Sequence, residues 1–219
     1  MDEIQKILIM ALPLILAVTL HEAAHAYVAD RKGDATARLL GRVSLNPIVH
    51  IDLFGTILIP FLLFTTTGSI FGYAKPVPVN PFQLHRPKQD MAWVALAGPG
   101  MNLCLAVVSG LLYRAIEGDN VLSPSGSNNA LIPFLLMMLS YSVMINLWLM
   151  AFNLIPIPPL DGGRVLAGFL PEDAARFLLR AEPYGMVIIT ALVFLDPFGL
   201  IPRVLHPIVY GVSKFIFSG

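Results

Sequence analysis

Two clusters of residues in this 219-residue chain have the types and spacing to do chemistry. The first is His21-Glu22-Ala23-Ala24-His25. On a helix, positions i and i+4 share a face, so the two imidazoles point the same way. Together they can hold one Zn²⁺ with ring nitrogens about 2 Å from the metal. The glutamate between them then stands beside an activated water and can take its proton. The plainer alternative is a polar helix end at a membrane surface, since Asp30 and Arg31 follow soon after. Against it, the motif lies inside an apolar run. Each ionisable group near the bilayer centre costs roughly 3 kcal/mol. Three of them within five residues need a compensating partner, and a bound dication supplies one.

A catalytic zinc usually has three protein ligands and an open position. Of the remaining histidines, His85 sits in a polar linker, and His50 and His206 stand near predicted segment ends. The better third ligand is acidic. The second cluster, Asn153-Leu154-Ile155-Pro156-Ile157-Pro158-Pro159-Leu160-Asp161-Gly162-Gly163, ends in such a group. Its three prolines prevent a regular helix before Asp161. Its two glycines permit close backbone approach. Such a chain can aim one carboxylate at a buried point, although Asp161 could instead cap a helix beginning at Gly162. Asn153 could hydrogen-bond a substrate backbone or a developing oxyanion, or be a satisfied structural amide. Asn102 follows Ala97-Gly98-Pro99-Gly100, where small residues more often serve close helix packing. Residues 72–81, GYAKPVPVNP, read as an extended, proline-fixed strand or hairpin able to pair with an unwound substrate, or as an ordinary ordered linker.

The elements that must position these groups are apolar. Hydrophobic residues make up 56% of the chain and charged residues 13%, about half the charge of a soluble domain. A soluble globular enzyme and a disordered chain are both excluded. The balance of 14 basic and 14 acidic residues offers nothing to a polyanion, so no nucleic-acid partner is expected. The lone cysteine, Cys104, excludes an internal disulfide and any multi-cysteine metal site. Apolar runs at 4–29, 51–65, 91–116, 131–155, 184–201 and 203–217 predict an all-α polytopic membrane protein. The expected architecture is a bundle of about six hydrophobic segments, with a short extended or β element in the 68–82 linker.

Linkers 30–50 and 68–90 carry Lys and Arg, whereas 117–129 carries neither. The positive-inside rule puts the first two in the cytoplasm and the third outside. The 51–65 segment, flanked by two cytoplasmic linkers, then cannot cross once; it or the 68–90 linker dips back. Glu22, eight residues deeper than Asp30, lies roughly 12 Å below the surface. The segment carrying Asp161 runs inward from the external linker. The histidine pair and the carboxylate therefore meet at one level, near the cytoplasmic face.

HEAAH in one membrane helix, AGPGMN in another and FNLIPIPPLDGG downstream together resemble the site-2 protease family of intramembrane zinc metalloproteases. GYAKPVPVNP and NPIVHID resemble its short prokaryotic branch. The resemblance implies a single membrane-embedded protease domain over 1–219, with a core at 4–30, 91–116 and 131–170 and accessory segments at 51–66 and 183–217. It implies zinc bound by His21, His25 and Asp161, Glu22 as general base and acid, and Asn153 holding substrate. It also implies membrane-spanning protein substrates, cut within the lipid bilayer of a prokaryotic plasma (inner) membrane. The length leaves no room for a PDZ domain, so substrate selection by a periplasmic domain is not expected. Two other classes share some of these features. A metal-ion transporter would spread ionisable groups over several helices and show repeated halves; here they cluster near one face and no repeat is visible. A non-catalytic membrane scaffold would have no need of Glu22.

Overall fold

The computed structural model describes residues 3–50, 75–118, 131–196, 199 and 201–218. Helix α1 spans Glu3–Arg31, α2 Pro87–Gly118 and α3 Leu131–Asn153. After an elbow come the shorter helices α4 (Asp161–Phe169), α5 (Glu172–Arg180), α6 (Glu182–Leu195) and α7 (His206–Ser218). Among the described residues no strand forms. Three helices, α1 to α3, are long and apolar enough to cross a membrane.

The expected bundle of about six hydrophobic segments is not confirmed: among the described residues three are of spanning length. A span needs about 20 residues, and α6 and α7 have 14 and 13. The 51–65 segment lies outside the described residues. The expected β element is also absent where it can be assessed. Residues 75–80 run extended without a ladder, because Pro76 and Pro78 carry no N–H to donate to one. Residues 68–74 of that linker lie outside the description.

Helix α2 is central, packed against α1, α3 and α4. The long helices alternate in direction. Lys32, just past α1, pairs with Asp90 in the first turn of α2 at 3.1 Å. Asn102 of α2 meets Asn146 of α3 at 2.9 Å, and Ser109, further along α2, meets Ser142, earlier in α3, at 2.8 Å. So the C-terminal ends of α1 and α3 lie together with the start of α2. Small residues make the close approach possible, with Ala17, Ala26, Ala29 and Ala106 fully buried. An apolar cluster that includes Val143 and Leu147 of α3 and Val209 and Ile216 of α7 ties these two helices together.

Helix α3 stops at Asn153, and no regular helix returns until Asp161. Prolines 156, 158 and 159 remove donors and crowd the preceding turn. The elbow is folded tightly on its neighbours. A Cβ on Gly162 would overlap the carbonyls of Leu154 and Ile155, one on Gly163 would overlap the Ile157–Pro158 backbone, and one on Gly185 of α6 would overlap Pro158 and Pro159.

Candidate metal centre

His21 and His25 project from α1 toward α2 and α4, both buried. Their Nε2 atoms lie 3.0 Å apart. Asp161, the first residue of α4, places Oδ2 3.3 Å from each. Leu160 rather than Asp161 occupies the cap position, and no side-chain capping bond forms. The elbow thus aims the carboxylate away from its own helix and at the imidazoles. Among the described residues this is the one group of three or more such side chains able to hold a metal ion.

The donor set fits zinc. Four ligands at about 2.0–2.1 Å in a tetrahedron stand about 3.3 Å from one another, close to the three edges found here. Asp161 Oδ2 is buried without a hydrogen-bond partner, which is costly unless a cation meets it. To serve as a ligand the carboxyl must be ionised. The second nitrogen of each ring is held from behind. His25 Nδ1 lies 2.7 Å from the Val94 carbonyl. A carbonyl only accepts, so Nδ1 carries the proton and Nε2 presents a lone pair. His21 Nδ1 lies 2.6 Å from Asn102 Oδ1. Gly98 of α2 keeps the space in front of the nitrogens open, since a Cβ there would overlap His25 Nε2 and the His21 ring.

Glu22 turns toward the extended strap of residues 75–80, where its Oε2 accepts from Val77 N–H at 3.0 Å. The strap is pinned at both ends. Arg42, itself buried, donates to the Lys75 and Pro76 carbonyls at 2.6 and 3.2 Å. Asp34 accepts from Asn80 N–H at 2.6 Å. The stretch read as a strand for substrate therefore gives one of its few N–H groups to Glu22.

Asn153 is half-buried at the end of α3 and donates Nδ2 to Leu149 O in its own helix at 3.0 Å. It is not one of the three converging side chains. Of the other histidines, His50 Nε2 lies 2.9 Å from Ser44 O, His85 packs beside Gly33, and the His206 ring lies 6.1 Å from that of Trp148; none joins the cluster. Three contributors escaped the sequence reading. Gly98 and Asn102 stand in a small-residue stretch that reads as packing, and Val77 stands in a proline-rich linker.

The model of peptidase family M50 matches residues 9–127 and 122–195 of the chain. A protein named "Putative zinc metalloprotease YwhC" from Bacillus subtilis is 38% identical over 190 residues, covering 87% of this chain and 81% of that one. A protein named "Putative zinc metalloprotease Rip2" from Mycolicibacterium smegmatis is 29% identical over 211 residues, covering 93% and 74%. No solved structure matches the chain.

Proposed function

The chain belongs to peptidase family M50, the site-2 protease family, and from that premise we propose that it is an intramembrane zinc metalloprotease. It hydrolyses peptide bonds within the membrane-spanning segments of other proteins. The observation that carries this reading is the convergence of His21, His25 and an orphaned Asp161 oxygen within one small triangle. In this reading His21, His25 and Asp161 bind Zn²⁺, and Glu22 is the proton carrier. The site lies in the membrane near its cytoplasmic face, in the plasma membrane of a prokaryote.

When bound, zinc supplies Lewis acidity, giving an activated water near neutral pH and a polarised scissile carbonyl. The chain's own residues do the rest. Glu22 takes the proton from the attacking water and returns it to the leaving amine. Val77 N–H holds one Glu22 oxygen, which leaves the other for that proton. Asn153, with Nδ2 already engaged, offers Oδ1 to a substrate N–H. The substrate helix hides its carbonyls in i→i−4 bonds, so it must unwind before it can be cut. Glycine or proline near the scissile bond lowers that cost.

The test combines zinc content with cleavage of a single-span model substrate by the purified chain. Glu22→Gln is expected to keep one zinc per chain and lose at least 100-fold in cleavage, the scale of a general base. Asp161→Ala is expected to lose zinc and cleavage together. Zinc passing into liposomes with no substrate cut would overturn the protease reading in favour of transport.

A further inference from the structure

A chain of side-chain amides stands behind His21, and each link has one possible direction. It starts at the Ser142 carbonyl of α3, which can only accept. Asn146 Nδ2 donates to it at 2.8 Å, so Asn146 Oδ1 faces the other way. Asn102 Nδ2 donates to that Oδ1 at 2.9 Å, so Asn102 Oδ1 faces His21. Nδ1 of His21, 2.6 Å away, must then carry the proton. Asn102 and Asn146 are 0% and 1% exposed, so both links are shielded from bulk water. The one other partner of Asn102 Nδ2, the Ala17 carbonyl, is distant at 3.4 Å.

We propose that Asn146, with no contact to the metal site, is a positioning residue that fixes the orientation of Asn102 and thereby the tautomer in which His21 can bind a metal. The proposal rests on the zinc reading above. It follows from a difference between the two imidazoles. His25 takes its tautomer from a backbone carbonyl that cannot turn round. His21 takes its tautomer from an amide whose two ends are nearly the same shape. A reversed Asn102 would present Nδ2 to His21 Nδ1, moving the ring proton to Nε2 and removing the lone pair from the site. Asn146 is what makes the reversal unfavourable, because it would set two amide oxygens against each other. A buried amide pair serving only as glue between α2 and α3 is the competing account.

The experiment uses the full purified chain. Zinc affinity is read by chelator competition, and the ring tautomers by ¹⁵N resonances of labelled histidine in the metal-free chain at pH 8. Asn146→Leu is expected to weaken zinc binding by roughly tenfold or more, the scale of outer-shell changes. His21 should lose its Nδ1–H signature while His25 keeps its own. Asn146→Asp, which retains an acceptor facing Asn102, should keep the His21 signature and guards against a leucine variant that does not fold. In an Asn102→Asp background both oxygens accept, so orientation no longer matters and adding Asn146→Leu should cost no further affinity. An unchanged His21 signature in Asn146→Leu, or an equal loss of affinity in both backgrounds, overturns the proposal while leaving the zinc site standing. A wild-type chain that binds no zinc overturns both.

Discussion

On α1, His21 and His25 face one way because they stand four residues apart on a helix; Asp161 faces them because an irregular elbow is pressed onto its neighbours. The first arrangement is local. Any helix over residues 21–25 produces it, and packing need only keep the space in front of the rings open. The second is tertiary. It depends on Gly162 and Gly163 lying against the elbow's own carbonyls and on Gly185 letting α6 reach Pro158 and Pro159. The lesson is one of vulnerability. The placement of the histidine pair can be broken only at the rings or directly over them, whereas the carboxylate can be displaced from residues that touch no ligand.

Four substitutions break or sharpen this contrast. The largest effect is expected from Gly163→Ala, whose new Cβ would overlap the Ile157–Pro158 backbone. Backbone cannot yield as a side chain tip can, so Asp161 must move. Zinc affinity, read by chelator competition, should fall about 100-fold or more, taking overpacking of up to about 3 kcal/mol. Gly98→Ala follows. Its Cβ would enter the space before both Nε2 atoms, and zinc binding should weaken by about 10–100-fold through the histidine side of the site. Gly185→Ala acts through the elbow from another helix. α6 can shift outward to accommodate it, so roughly tenfold weakening is expected, together with a lower melting temperature.

The smallest effect is expected from Val77→Pro, which deletes a single N–H in a strap already fixed by neighbouring prolines. Loss of one hydrogen bond to a charged group is worth about 1.5 kcal/mol. Cleavage should slow by roughly tenfold through kcat, with zinc content unchanged. A matching loss of zinc there would show that the strap supports the metal ligands rather than Glu22.

The sequence made the local arrangement plain and the tertiary one only partly so. The HExxH spacing carries its own geometry, and the prolines at 156, 158 and 159 do end α3 before Asp161. The three long apolar helices were legible from hydropathy, although α2 begins at Pro87 rather than Met91. Hydropathy reads Pro87-Lys88-Gln89-Asp90 as linker. Proline suits a first turn, and Asp90 reaches back to Arg86 N–H at 2.8 Å, so the polar start is a helix start. Asn102 and Asn146 were not legible as a pair. Each sits in an apolar helix, and nothing local states which residue of a neighbouring helix it will face. The same holds for Gly98, whose missing side chain has meaning only once the imidazoles are known to lie opposite. The strap misled in another way. Its alternation with proline is typical of extended chain, but extended chain forms a strand only if its donors meet acceptors on another strand, and the Val77 donor meets a glutamate.

The central claim is that Asp161 and the two imidazoles share one metal ion. X-ray absorption at the zinc edge of an Asp161→Cys variant tests it most directly, because a thiolate ligand sits at about 2.3 Å and is distinct from nitrogen and oxygen near 2.0 Å. The wild-type chain, whose single cysteine, Cys104, is exposed, should show imidazole scattering and no sulfur shell, and the variant should add one sulfur at that distance. A variant that binds one zinc with imidazole scattering and no sulfur shell would contradict the account.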